Sequence, residues 1–150
     1  MKKCLVLAYG NPLRTDDGLA VAALERLQKR FDGETAIEFH SAMQPLPEHA
    51  ALCSEQQFVL FLDASASLQP GNISSHRIVP ANDSQPNQNT HSLDFQGLLN
   101  LTHRVYEKSP EAVCLAMGGH DFAIGKGLSP ETTANLEEMV AVATRILNAQ

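Results

Sequence analysis

Three stretches of the chain carry side chains able to hold a cation or move a proton, and each falls where a regular element should stop. The first, Gly10-Asn11-Pro12-Leu13-Arg14-Thr15-Asp16-Asp17-Gly18, sets two adjacent acids between an apolar run and an amphipathic one. Carboxylates at a helix start can simply complement its dipole. Two neighbouring acids point in different directions, however, so one can accept backbone N–H groups while the other faces outward. The second is Asp63, the lone acid closing the apolar run Phe58-Val59-Leu60-Phe61-Leu62. A carboxylate buried in a sheet is costly unless it is paired or binds a cation. The third is His91 in Asn89-Thr90-His91-Ser92-Leu93, where an imidazole can cap a helix, lie on the surface or act as a ligand. Two carboxylates and one imidazole make a three-ligand set with positions left open for water or substrate. That is the form of a catalytic rather than a structural metal site. Such ligands suit Ni, Zn, Mn or Fe, and ligand type alone does not choose among them.

These residues converge only if the elements between them fold suitably. Lys2–Gly10 and Ala112–Met117 are continuous apolar runs, as expected for strands covered on both faces. Phe58–Ala64 is the strongest strand pattern, and Thr35–Ala42 reads as another strand. Ala20, Ala23, Leu24, Leu27 and Phe31 form one stripe of a helix closed by Asp32-Gly33. Leu46–Cys53 reads as a short helix, and Phe95, Leu98, Leu99, Thr102 and Tyr106 give a further one. The last helix has Ser129 as N-cap, Pro130 at its first position and a stripe through Leu136, Met139, Val140, Ala143 and Leu147. Pro70-Gly71-Asn72 signals a turn into Ser75–Pro80, expected as an edge strand antiparallel to its predecessor. Asn82–Thr90, rich in Asn, Gln and Ser, reads as an exposed mobile loop, and Gly118–Gly127 as a glycine-rich one. The pattern predicts one α/β domain over residues 1–150. Its fold class is a three-layer α/β/α sandwich with a mostly parallel twisted sheet of about five strands and one antiparallel edge strand. Ligands in such sheets sit beyond the carboxyl ends of the strands, where Asp17 and Asp63 are expected.

Composition narrows the function. A net charge of −6 and no tryptophan argue against nucleic acid, which needs a basic face and stacking surfaces. No apolar run is long enough to span a membrane, and Cys4 to Ala8 is too short for a signal-peptide core. Cys4, Cys53 and Cys114 are dispersed and odd in number, which points to reduced, packed thiols and a cytoplasmic setting. Gly10-Asn11-Pro12 is not a dinucleotide fingerprint, and no serine lies in a nucleophile elbow. His40 and His49 lack a metal-helix spacing and remain secondary candidates, Gly118-Gly119-His120 could line the crevice or bind an anion, and nothing in the pattern demands more than a monomer.

Gly10-Asn11 through Asp16-Asp17-Gly18, Phe61-Leu62-Asp63-Ala64, Thr90-His91-Ser92-Leu93 and Gly127-Leu128-Ser129-Pro130 occur in that order across nearly the whole chain. Together they resemble the nickel–iron hydrogenase maturation peptidases. The resemblance implies a phosphorylase/hydrolase-like fold and an endopeptidase that removes the C-terminal extension of a hydrogenase large-subunit precursor after nickel insertion. It implies metal ligands at Asp17, Asp63 and His91, addressing nickel carried by the substrate, with no need for a metal held beforehand. Asn11, Asp16, His40 and Gln44 are the expected substrate contacts. Many relatives carry an Asp-Gly-Gly-Thr-like stretch where this chain has His40-Ser41-Ala42-Met43-Gln44-Pro45-Leu46-Pro47-Glu48. This version is more similar to peptidases serving cytosolic NAD(P)-linked hydrogenases. Physically, a metal there polarises the scissile carbonyl or ionises a water, or Asp17 acts as general base. Two other readings compete: a non-catalytic nickel- or precursor-binding chaperone, and a peptidyl-tRNA hydrolase-like enzyme. The second lacks its His-Asn pair here and needs a basic surface.

Overall fold

The computed structural model describes residues 1–80 and 93–150. Strands β1 (Cys4–Tyr9), β2 (Ile37–Ala42), β3 (Phe58–Pro70), β4 (Ile73–Ile78) and β5 (Glu111–Gly118) form one sheet in the order β2-β1-β3-β5-β4. Helices α1 (Leu19–Arg30), α2 (His49–Ser54), α3 (Phe95–Tyr106) and α4 (Pro130–Asn148) cover it. β1, β2, β3 and β5 pair in parallel and β4 runs antiparallel, as the alternation of apolar runs and helical stripes predicts.

Strand alternation divides the core into two layers. Val6, Ala8, Leu60, Leu62, Leu115 and Met117 pack under α1 and α4, with Leu24, Leu27, Met139 and Val140. Leu5, Leu7, Tyr9, Val59, Phe61 and Cys114 pack under α2 and α3, with Cys53, Leu98 and Leu99. All three cysteines are buried and free. Because side chains alternate with period two, Tyr9 and Asp63 follow Leu7 and Phe61 onto the α2–α3 side. Ala8 pairs with Leu62, so Tyr9 and Asp63 stand level, one step beyond that pair. Strand parity thus turns the Asp63 carboxylate to the same side as the Tyr9 ring.

Two expectations need correction. Asp63 does not end its strand, because β3 runs on to Pro70 as a half-exposed to exposed extension. β4 lies at an edge as predicted, but its hydrogen-bonded neighbour is β5, not β3. The reason is a crossing at Gly118. Gly71 N donates to Gly118 O at 2.9 Å and Gly118 N donates to Asn72 O at 2.9 Å, so the turn wraps over the end of β5. A Cβ on Gly118 would lie 2.2 Å from Gln69 O; only glycine lets the chain cross there and return on the far side. Among the described residues, no helix is long and apolar enough to cross a membrane. Asn82–Thr90 and His91 lie outside the described residues.

Candidate active site

The loop after β1 is a small hydrogen-bonded frame. Asn11 N donates to Asp17 Oδ2 at 2.7 Å, Leu13 N to Asn11 Oδ1 at 3.0 Å, and Asp17 N to Arg14 O at 3.1 Å. A 3-10 turn, Thr15–Gly18, leads from it into α1. Gly10 has φ +152°, and a Cβ there would lie 1.9 Å from Asp17 O. The bare backbone of Gly10 therefore lets the Asp17 turn rest on the end of β1. Gly10→Ala combines a steric overlap with an unfavourable φ, and we expect it to cost about 2–4 kcal/mol. Urea unfolding checks this; a midpoint equal to that of the unsubstituted protein would contradict it.

The two adjacent acids divide their tasks as their opposite directions predict. Asp16 is fully buried. Its Oδ2 accepts from His120 N, Asp121 N and Ser129 Oγ, and its Oδ1 from Ser129 N, all within 3.0 Å. Burial alone would raise its pKa; the bonds from Ser129 and His120 outweigh that and hold it at about 2. With every bond spent on the start of α4 and the loop before it, Asp16 is a structural anchor. The expectation that it contacts substrate gives way to this geometry. Asp17 is half-buried and faces the other way, into a cavity of about 350 Å³.

That cavity lies at the carboxyl end of β1, beside the middle of β3. Asp17 and Asp63 both line it, with Tyr9, Gly10, Met43, Gln44, Pro45, Leu93, Asp94 and Phe95. Burial pushes Asp63 up to about 6; the Asp17 carboxylate adds to this, while a hydrogen bond from the Ala64 backbone opposes it. Acid 63 and acid 17, distant in sequence, therefore feel one another across a single open hollow. Its wall is an aromatic stack: Phe95 lies over Phe61 with centroids 4.5 Å apart and over Tyr9 at 5.5 Å. Tyr9 OH lies 2.8 Å from His49 Nδ1, which also accepts from Leu46 N at 3.2 Å. With Nδ1 accepting from Leu46, the tyrosine hydroxyl is the donor of its bond. This pair ties the loop of Met43, Gln44 and Pro45 to the sheet.

The structure brings Asp17, Asp63 and Gln44 to one cavity. Asn11 shapes the Asp17 loop beside it. His40 is exposed on β2, 3.7 Å from Glu38, and is not among the cavity residues. His91 lies outside the described residues; Leu93, two residues later in the chain, lines the cavity. Sequence reading missed Tyr9, Phe95 and the His49 brace. The first was accessible through parity, since Tyr9 and Asp63 share the phase of Leu7 and Phe61. Paired carboxylates, one of them resisting ionisation, fit a cation: positive charge between them removes both the repulsion and the burial cost. Among the described residues no group of three or more His, Cys, Asp or Glu forms a metal cluster.

No family model matches the chain, and no curated protein matches it by sequence. Solved structures do. The hydrogenase maturating endopeptidase HybD from E. coli superposes with a TM-score of 0.81, at 22% identity, over 98% of this chain and 93% of that one. The [NiFe] hydrogenase maturation protease HybD from Thermococcus kodakarensis gives 0.71, at 20% identity, over 96% of this chain and 98% of that one. HycI from Thermococcus kodakarensis KOD1, also a [NiFe] hydrogenase maturation protease, gives 0.73, at 17% identity, over 98% and 94%. The chain has the fold of solved hydrogenase maturation endopeptidases along almost its entire length.

Proposed function

We propose that this protein is an endopeptidase of hydrogenase maturation, cutting the C-terminal extension from a nickel–iron hydrogenase large-subunit precursor after nickel insertion. The observation that carries the reading is the meeting of Asp17 and Asp63 in one open cavity on this fold, with Asp63 held up at about 6. His91 completes the ligand set. The nickel belongs to the substrate: the trio addresses the loaded centre of the precursor and brings the adjoining tail into the hollow. A cation bound there supplies electrostatic stabilisation for charge developing on the scissile carbonyl oxygen. The chain's own residues do the rest. A carboxylate of the pair accepts a proton from water as the water oxygen bonds to the carbonyl carbon. The C–N bond then breaks and the proton leaves with the amine of the tail. The Tyr9–Phe95 wall excludes bulk water from one side of the hollow, which strengthens both electrostatic effects.

The test is intact-mass analysis of a precursor incubated with the purified protein, in nickel-loaded and nickel-free forms. The loaded form is expected to lose the mass of its tail and the nickel-free form to stay whole. Single replacement of Asp17, Asp63 or His91 by Ala is expected to lower processing at least about 10³-fold. Tail loss at an unaltered rate in all three variants would defeat the assignment. A stable complex with an intact tail would show a binding protein rather than a peptidase.

A further inference from the structure

Leu13 and Ile124 are 61% and 83% exposed, although each is a large apolar side chain. They are not scattered. The loops that carry them, after β1 and after β5, are zipped together by a parallel bridge between Arg14 and Gly125. Thr15 N donates to Gly125 O, Gly125 N to Leu13 O, both at 2.9 Å, and Thr15 Oγ1 to Ala123 O at 2.8 Å. These bonds hold Thr15 at φ 51°, a left-handed conformation that a β-branched residue adopts only under constraint. The result is a braced knuckle that presents two apolar side chains to solvent. Arg14 stands next to Leu13 and Lys126 lies two residues beyond Ile124, both exposed. Neither forms an ion pair with a described residue. Asp121, the exposed acid of the same loop, has an Oδ1 that accepts from Ala123 N at 2.9 Å, so two cations stand against one acid on this apolar projection of a chain of net charge −6. Through Asn11, whose Oδ1 accepts from Leu13 N and whose N donates to Asp17 Oδ2, it is continuous with the cavity.

We propose that this knuckle is the docking surface for the folded body of the protein substrate. It fits a partner with an apolar hollow rimmed by carboxylates. The proposal rests on the endopeptidase reading above and adds where the substrate is held while its tail is cut. Elsewhere the acidic surface and the carboxylates of the cavity repel an acidic rim; at Arg14 and Lys126 it is attracted, which fixes orientation. A second copy of this chain fits poorly, because a two-fold contact would set Arg14 and Lys126 against their own counterparts. Two apolar anchors on a rigid support suit a transient encounter, in which a few residues dominate the affinity.

The experiment measures processing of the nickel-loaded precursor against its concentration, for the native protein and two double variants, Leu13→Ser with Ile124→Ser and Arg14→Glu with Lys126→Glu. Each pair is expected to raise KM roughly tenfold or more and leave kcat within about twofold. The charge pair is also expected to reverse the salt dependence of KM: salt raises KM for the native protein by screening an attraction and lowers it for the variant by screening a repulsion. Thermal melts establish that each variant is folded; if the serine pair unfolds, the charge pair decides. An unchanged KM, or a fall in kcat at constant KM, overturns the docking role while leaving the peptidase reading intact. A native dimer dispersed by the serine pair overturns it too, by assigning the knuckle to self-association. Failure of the native protein to shorten the precursor overturns the function and the docking role together.

Discussion

Asp63→Asn is expected to abolish precursor processing and, at the same time, to make the protein more stable at pH 8. Asp63 is only partly exposed, and burial with the nearby Asp17 charge lifts its pKa to about 6. A carboxyl group whose folded value lies above its unfolded one stabilises the fold fully below about pH 4. That contribution is lost as pH rises through about 6. At pH 8 the ionised group is therefore a burden of at most about 3 kcal/mol. Partial contact with solvent reduces this to about 1–2 kcal/mol. Asparagine keeps an oxygen to accept from the Ala64 backbone and carries no charge, so the variant should melt about 2–8 °C higher at pH 8. The difference should vanish near pH 4. Processing should fall about 10³-fold or more, because a neutral amide neither attracts a cation nor accepts the proton from water. Melts at pH 4 and 8, with a mass assay of tail removal, check both halves. A variant that is less stable at pH 8, or that still processes, would contradict the account.

Asp16→Asn is expected to act in the opposite way, as a loss of stability. Four donors converge on the two oxygens of Asp16. An amide offers one oxygen; in either orientation its NH₂ faces at least one backbone N–H, leaving buried donors unpaired. The cost should be about 2–4 kcal/mol. Here the folded pKa, about 2, lies below the unfolded one. The contribution is fully present above about pH 4 and disappears as pH falls through about 2. The native protein should thus lose about 2 kcal/mol across that window through this group, and the variant should not. Denaturant melts between pH 2 and 5 measure this. Ser129 Oγ also accepts from Thr132 N, so the variant should loosen the first turn of α4 as well, visible as faster amide exchange there. A variant within about 1 kcal/mol of the native protein that keeps the acid-dependent loss would contradict the anchor role.

The contrast between Asp16 and Asp17 shows where sequence reading stops. Adjacent acids before a helix announce two directions, but which one turns inward is decided by Ser129, 113 residues away. The central strands were legible because strands buried on both faces must be apolar throughout. The position of β4 was not, since it depends on whether β3 or β5 accepts it. A crossing permitted by the missing side chain of Gly118 makes that choice. The turn residues Pro70-Gly71-Asn72 told that the chain reverses, not around what. Asp63 was legible as a costly acid in an apolar strand, and its companionship with Asp17 was expected from strand ends; it arises instead because Asp63, within β3, stands level with Tyr9 at the end of β1. The aromatic wall needed one more step, counting parity along β1 and β3. His40, expected as a substrate contact from the resemblance of the His40–Glu48 stretch, stands outside the cavity because parity and the strand edge place it on an exposed surface.

The claim beneath these expectations is that Asp17 and Asp63 share one electrostatic site. Carboxyl-carbon NMR titration of Asp63, in the native protein and in Asp17→Asn, measures it directly. The account predicts a midpoint near 6 in the native protein, lower in the variant but still above the ordinary aspartate value because burial persists. A midpoint near 4 that is indifferent to Asp17 would mean two unrelated acids, and would contradict the shared site.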